Sequence, residues 1–218
     1  GIIYKRTSPK ILEIKKMNEA IKHRGPDDEG IYKFENIILG HRRLSILDLS
    51  EKGRQPMSND GRYWIIYNGE IYNYIEQRDR FGQQDSYRTT SDTEVLFKAL
   101  IMKGSSCLRT MNGMWAFGFM DFQENELLLS RDPFGKKPLF IYSDNENFIA
   151  SSEIKSIYSI LGTKRYIQRR ALMGFLMSKL MPTFDDGETL YKDVNFLPGG
   201  ANLKFDLRKF SYKISQDN

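Results

Sequence analysis

Apolar residues recur every three to four positions in four stretches of the chain, and this period predicts helices. The first predicted helix follows Pro9 and stops before His23-Arg24-Gly25-Pro26, because glycine and proline both end helices. The third and fourth helices are expected over residues 154–160 and 168–180. The shared apolar face of the first helix would hold Ile11, Ile14, Met17 and Ile21.

The second predicted helix begins with a capping box, in which Ser91 is the N-cap and Glu94 stands three residues further on. Gly104 is expected just past its last turn, where helices commonly end in a glycine. The apolar face of this helix would hold Val95, Leu96, Ala99 and Leu100.

Segments rich in β-branched and aromatic residues predict strands between the helices. An aromatic strand over 63–67 runs into Asn68-Gly69, which is predicted as a tight turn because this dipeptide tolerates a positive φ. Strands over 191–197 and 201–207 flank a second turn at residues 198–200. Three further hairpins are expected, from strands 31–34 and 37–39, 115–121 and 127–131, and 138–143 and 148–151.

The dominance of hairpins predicts antiparallel sheets and the α+β class. Two sheets packed face to face, with helices outside, would cover both apolar surfaces of each sheet. The core is expected to close near residue 160, which gives a domain over 1–160 and a helix-plus-hairpin extension over 161–218.

Composition excludes several classes of function. No run of about 18 apolar residues occurs, so no membrane span is predicted. The 33 Lys and Arg residues exceed the 28 Asp and Glu residues but are scattered, so no nucleic-acid partner is expected. The single cysteine, Cys107, forms no internal disulfide, and no signal peptide is visible, which together predict a cytoplasmic location.

Cofactor and metal motifs are missing from the sequence. The two histidines, His23 and His41, and one distant cysteine make a poor ligand set, so no metal site is predicted and each histidine is expected to be a structural hydrogen bonder. Neither a Gly-x-Gly-x-x-Gly motif nor a P-loop occurs, so no nucleotide cofactor is expected in these residues.

Five motifs in a fixed order carry the functional signal. They are His-Arg-Gly-Pro-Asp at 23–27, His-Arg-Arg-Leu-Ser-Ile at 41–46, Tyr-Asn-Gly-Glu-Ile-Tyr-Asn at 67–73, Ser-Asp-Thr-Glu-Val at 91–95 and Arg-Asp-Pro-Phe-Gly-Lys-Lys-Pro-Leu at 131–139. Together they resemble the class II glutamine amidotransferase domain of asparagine synthetases, densely over 1–160 and more weakly through 197–199.

The resemblance implies both a fold and a reaction. The fold would be the four-layer αββα sandwich of two antiparallel sheets found in N-terminal-nucleophile (Ntn) hydrolases. The reaction would hydrolyse glutamine to glutamate and ammonia, with no cofactor in this domain. The ammonia would pass to a C-terminal synthetase domain, which uses ATP and Mg to make asparagine from aspartate, and the resemblance leaves a homodimer open.

Asn68 and Gly69 match the oxyanion hole of the family. The Asn68 side-chain N–H₂ and the Gly69 backbone N–H would face the charge that develops on the carboxamide oxygen. Such a donor typically contributes ~10²–10³ in rate. A plain turn is the structural alternative for Asn-Gly, but the flanking residues of the motif favour the oxyanion hole.

Substrate-binding roles follow from the same resemblance. Arg43 matches the residue that holds the α-carboxylate of glutamine, for which a forked guanidinium is suited. Asp92 matches the carboxylate that receives the α-ammonium group, although helix capping alone would also place an Asp there. Glu70 is expected to line the same pocket, and Leu44 and Ile46 would offer backbone groups to the substrate.

Other polar residues of the motifs are predicted to be structural. Arg24 with Asp27, and Arg131 with Asp132, are expected to be ion pairs and turn formers. Cys107 is expected to be a buried small apolar residue, and it has no α-amine of its own to act as a base.

The nucleophile of the family is a cysteine that would stand immediately before Gly1. The family pattern begins Met-Cys-Gly-Ile, whereas this chain begins Gly1-Ile2-Ile3. Three explanations are open: a modified cysteine missing from the sequence, a cut or mutated chain, or a degenerate domain. The chain that starts at Gly1 is therefore expected to release no ammonia, and a catalytically inactive glutamine-binding, regulatory or structural module is the alternative function.

Overall fold

The computed structural model describes residues 1–45, 48, 50–82, 86–162, 165–178 and 187–216. Five α-helices occur in these residues: α1 Ile11–Ala20, α2 Tyr74–Phe81, α3 Asp92–Lys103, α4 Ile154–Leu161 and α5 Arg169–Ser178. The strands are β1 Ile2–Tyr4, β2 Asp28–Phe34, β3 Ile37–Arg43, β4 Tyr63–Ile71, β5 Gly113–Asp121, β6 Glu126–Arg131, β7 Phe140–Ser143, β8 Asn147–Ser151, β9 Val194–Phe196, β10 Ala201–Asp206 and β11 Ser211–Gln216.

The strands form two antiparallel sheets. The larger sheet has the order β2-β3-β1-β8-β7-β9, and the smaller has the order β11-β10-β6-β5-β4. Every pairing between neighbouring strands is antiparallel. The three predicted hairpins correspond to β2–β3, β5–β6 and β7–β8, so these predictions are confirmed.

Three apolar clusters separate four layers. One cluster lies between the sheets, a second lies between the larger sheet and helices α1 and α4, and a third lies between the smaller sheet and helix α3. Representative members, in that order, are Leu39 and Leu129, Ile14 and Ile157, and Ile65 and Leu96. The predicted αββα sandwich is therefore confirmed.

Strand alternation explains how one segment contributes to two clusters. In β4, Ile65, Tyr67 and Ile71 pack toward α3. Trp64 and Ile66, which alternate with Ile65 and Tyr67 along the strand, pack toward the other sheet. Successive side chains of a strand point to opposite faces, so Asn68 is placed on the face that looks toward the larger sheet.

The expected pairing of 191–197 with 201–207 is wrong. β9 pairs with β7 in the larger sheet, whereas β10 pairs with β6 and β11 in the smaller one. The chain therefore crosses from one sheet to the other at the turn over 198–200. Leu197, Leu203 and Phe205, which surround that crossing, are buried between the sheets. Burial of these side chains against both sheets outweighs local pairing, and the division of the chain near residue 160 stays a prediction.

The buried face of the first helix differs from the predicted one at its first residue. Ile14 and Met17 are buried, but Ile11 is 49% exposed. Ile11 is the first residue of α1, and burial along this helix begins one turn later, at Ile14. In the described part of the chain, no helix is long and apolar enough to cross a membrane.

Candidate active site

A cavity of about 450 Å³ opens where β3 of the larger sheet faces β4 of the smaller one. The start of α3 forms a further wall, and Gly1 also reaches the cavity. Ile46, one of the seven residues predicted for the site, lies outside the described residues. The other six line this cavity: Arg43, Leu44, Asn68, Gly69, Glu70 and Asp92.

Gly1 continues β1 beside β8. Its amino group donates to Ala150 O at 2.8 Å, and the Ala150 N–H donates to Gly1 O at 3.0 Å. The registers of β1 with β3 and β8 would place a preceding residue between Gly40 and Ser151. Both of these residues line the cavity. The position expected for the nucleophile therefore adjoins the predicted substrate-binding residues.

The Asn68-Gly69 dipeptide is not a turn, and that prediction is wrong. β4 continues through it, with Gly69 opposite Trp115 of β5. A β-carbon on Gly69 would lie 2.4 Å from Met114 O and 2.5 Å from the Tyr67 ring. Glycine is needed here because the neighbouring strand and ring leave no room for a side chain, not because φ is positive.

The Gly69 N–H lies on the free edge of the smaller sheet. Ile65 exchanges backbone hydrogen bonds with Met57 on that edge, and the Tyr67 N–H donates to Gln55 Oε1 at 2.6 Å. Every second residue of an antiparallel edge strand directs its backbone groups away from the neighbouring strand. The backbone groups of Gly69 therefore point in the same direction as those of Ile65 and Tyr67. Its N–H is thus directed away from β5, on the edge that borders the cavity.

The Asn68 side chain supplies a second donor. Asn68 lines the cavity, and its Nδ2 is buried with no hydrogen-bond partner among the described residues. A buried donor without an acceptor carries a desolvation cost of ~1–3 kcal/mol. A ligand oxygen that accepted from Asn68 would remove this cost, as an oxyanion hole requires.

Asp92 begins α3 with a buried carboxylate. Its Oδ2 accepts from the Tyr67 O–H at 2.8 Å and from the Ile71 N–H at 2.9 Å. Burial raises the pKa of Asp92, and these two hydrogen bonds act in the opposite direction. Burial also raises the pKa of Tyr67 well above its ordinary value, so the phenol stays a donor. The carboxylate is held in one orientation at the cavity wall, where a cationic group can meet it.

Arg43 is held by the loop that follows it. Its guanidinium donates to Ser50 O at 2.8 Å and to Asp48 O. The Asp48 carboxylate accepts from the Ser50 N–H at 2.8 Å and from the Thr90 N–H at 3.2 Å. A β-carbon on Gly53 would lie 2.5 Å from the guanidinium, so that glycine makes room for it. Asp48 thus ties the loop that anchors Arg43 to the segment that precedes α3.

Two further residues of the site have no counterpart in the predicted set. Gln55 is 6% exposed and binds the Tyr67 N–H, while His41 Nε2 donates to Tyr67 O at 3.1 Å. The two side chains fix the peptide groups that precede Asn68. His41 stands two positions before Arg43 and so shares its strand face, which is a usable sequence signal; Gln55 lies in a loop with no such pattern.

The predicted capping box is half present. Ser91 Oγ accepts from the Glu94 N–H at 3.4 Å, as predicted. The Glu94 carboxylate does not reach back to the N-cap; it accepts from the N–H groups of Arg88 at 2.9 Å and Thr89 at 2.7 Å. Glu94 is fully buried, so its carboxylate orders the loop before α3 and with it the position of Asp92.

The Arg131–Asp132 pair forms a turn and not an ion pair. The Arg131 guanidinium donates to three backbone carbonyls, those of Gly135, Lys137 and Leu197. The Asp132 carboxylate accepts from four backbone amides, those of Trp115, Phe134, Lys136 and Lys137. Both charged groups bond to backbone groups, and these bonds take the place of an ion pair between them.

The second predicted ion pair is also wrong. Arg24 lies 3.3 Å from Glu153, and Asp27 accepts from the Ser45 N–H at 2.8 Å. Cys107 is 3% exposed, so it is buried as predicted, and burial raises its pKa to about 12, which keeps the thiol protonated. Among the described residues, no group of three His, Cys, Asp or Glu side chains is placed to hold a metal ion.

Comparison with known proteins shows the family of the chain. The family model described as a glutamine amidotransferase domain matches residues 1–214. The chain belongs to this family. A protein of Methanocaldococcus jannaschii, whose name includes the words asparagine synthetase [glutamine-hydrolyzing] 2, is 42% identical over 218 residues, which cover 90% of this chain and 41% of that protein. Asparagine synthetase B [glutamine-hydrolyzing] of Escherichia coli is 36% identical over 156 residues, which cover 71% of this chain and 27% of that protein.

The fold has a solved counterpart. The glutamine phosphoribosylpyrophosphate amidotransferase of B. subtilis, complexed with ADP and GMP, superposes with a TM-score of 0.71 at 18% identity, over 99% of this chain and 48% of that one. At this identity the likeness concerns the fold alone. The present chain spans less than half the length of each of the three proteins named above.

Proposed function

We propose that this domain hydrolyses the side-chain carboxamide of glutamine, with a cysteine immediately before Gly1 as the nucleophile. The thiolate attacks the carboxamide carbon, and its proton passes through the cysteine α-amine to the departing nitrogen, which leaves as ammonia. Water then cleaves the thioester to give glutamate and restore the thiol. Asn68 Nδ2 and the Gly69 N–H stabilise the oxyanion in both steps.

One observation carries this proposal. One cavity is lined by residues from β3, β4, the start of α3 and the residue before β1. These residues are Arg43, Asn68, Gly69, Asp92 and Gly1. Arg43 and Asp92 offer opposite charges for the two ends of an amino acid. The two oxyanion donors and the position before Gly1 lie where the side-chain carboxamide would react.

The ammonia has a destination in the relatives. Because this chain matches only part of proteins named glutamine-hydrolyzing asparagine synthetases, we propose that it supplies ammonia to a C-terminal synthetase domain or subunit. That domain would bind aspartate, ATP and Mg, and the present residues would need no cofactor. A homodimer and a cytoplasmic location stay predictions.

Ammonia release tests the proposal. Two proteins are compared, one with a mature N-terminal cysteine directly before Gly1 and one with alanine there. Sustained ammonia release from the cysteine form alone is expected. A folded cysteine form that binds glutamine but releases no ammonia would instead favour the glutamine-binding module. Equal release from both forms would place the nucleophile elsewhere.

A further inference from the structure

His41 joins the two sheets at the cavity. It lies on β3, and alternation with Leu39 of the intersheet cluster places its ring on the face toward the smaller sheet. Its Nε2 donates to Tyr67 O at 3.1 Å, across the gap between β3 and β4. The ring therefore stands beside the peptide that leads into Asn68, and it lines the cavity together with Asn68.

The tautomer of His41 follows from this bond. A backbone carbonyl can only accept, so the proton is on Nε2 and Nδ1 carries a lone pair. Burial lowers the pKa of His41 to about 4, against a smaller opposing effect of its bond to Tyr67. The ring is thus neutral near pH 7, with one donor engaged and one acceptor left.

That acceptor is buried with no hydrogen-bond partner in the described residues, and the same holds for the Asn68 Nδ2 donor. Two orphaned groups of opposite character therefore belong to two residues, one on β3 and one on β4, that line one cavity. Buried polar groups in native proteins are nearly always bonded, so an orphan at a cavity wall points to a ligand. The ligand must offer an acceptor to Asn68 and a donor to His41.

We propose that His41 Nδ1 accepts a hydrogen bond from the –NH₂ of a primary carboxamide whose oxygen is bound by Asn68, and that this makes His41 the residue that selects an amide over an acid. This inference rests on the proposed function and extends it. A carboxylate would satisfy Asn68 but would set a second oxygen lone pair against Nδ1. Glutamate, the product, is therefore bound more weakly than glutamine, which favours its release.

Two variants separate the functions of the two ring nitrogens. In His41→Gln the side-chain N–H₂ can replace Nε2 and keep the bond to Tyr67, but no acceptor remains at Nδ1. In His41→Asn the amide oxygen can replace Nδ1, while the bond to Tyr67 is lost. A purely structural histidine would lower stability in the second variant without changing the preference between ligands.

Calorimetric titration of the 218-residue chain with glutamine and with glutamate tests the inference. The ratio of the two dissociation constants is expected to fall about tenfold in His41→Gln, the contribution of roughly one hydrogen bond, and to be retained in His41→Asn. Thermal unfolding of each variant verifies that it is folded. An unchanged ratio in folded His41→Gln would overturn the inference while leaving the proposed function intact. Absence of glutamine binding by the unaltered chain would overturn both.

Discussion

The edge of β4 at Tyr67-Asn68-Gly69 and the turn at Arg131–Gly135 are both motif segments, yet they use their polar groups differently. In the turn, Asp132 and Arg131 bind backbone groups of the protein itself. At the β4 edge, Asn68 lines a cavity, and its buried Nδ2 has no hydrogen-bond partner in the part of the chain that the structure describes. Satisfied groups stabilise a fold, whereas preorganised unsatisfied ones are available to a ligand, so hydrogen-bond partners separate structural motifs from binding motifs.

The largest effect is expected from Asp132→Ala. Asp132 is fully buried, and the change would leave four backbone amides, one of β5 and three of the turn, without their acceptor. Each orphaned amide costs on the order of 1 kcal/mol or more, so the free energy of unfolding should fall by about 4 kcal/mol. Urea unfolding measures it, and a loss below about 1 kcal/mol would contradict the structural role of this turn.

Asn68→Ala should give the opposite result. Its Nδ2 has no partner to lose among the described residues, so the free energy of unfolding should not fall by more than about 1 kcal/mol. The kcat of the cysteine-bearing form should fall by ~10²–10³, because one donor to the oxyanion is removed. Steady-state ammonia release measures kcat, and a kcat within about threefold of the unaltered form would contradict the oxyanion role.

His41 gives the stability of the site a pH dependence. Its pKa is about 4 in the folded chain and 6.5 ordinarily, so between these values the unfolded chain binds a proton that the folded chain does not. The free energy of unfolding should therefore decrease as the pH falls from 6.5 to 4, by up to ~3 kcal/mol from this residue. Urea unfolding at pH 7 and pH 4 should show a smaller loss of stability in His41→Gln than in the unaltered chain. The same pH dependence in both proteins would refute this contribution of His41.

The smallest effect is expected from Phe134→Ser, in the same turn as Asp132. Phe134 is 83% exposed, so its ring buries little apolar surface. The free energy of unfolding should change by less than about 0.5 kcal/mol. A loss of several kcal/mol in urea unfolding would show that the turn depends on more than its backbone hydrogen bonds.

Local patterns in the sequence predicted three hairpins, four of the five described helices and the four layers, because these depend on periodicity and turn chemistry; α2 was not predicted. Prediction failed where long-range pairing overrides a local signal. Asn68-Gly69 carries a turn signal, but β5 pairs with it along its whole length. The turn at 198–200 suggests a hairpin, but burial of Leu203 and its neighbours between the sheets sends the two strands to different sheets.

The site residues that belong to the sequence motifs were predictable. The side chains outside the motifs that hold those residues in place were not. Arg43, Asn68, Gly69 and Asp92 follow from the family resemblance, and the structure places them around one cavity. Gln55 acts through Tyr67 from a loop without periodicity, and no spacing rule connects the two. Such supporting contacts depend on the three-dimensional packing of elements that are distant in sequence.

A crystal structure of the chain with bound glutamine tests the central claim most directly. We expect the α-carboxylate on Arg43, the α-ammonium group at Asp92 and the carboxamide oxygen within about 3 Å of Asn68 Nδ2 and the Gly69 N–H. Glutamine bound outside this cavity, or with its carboxamide directed away from Asn68, would contradict the proposed function.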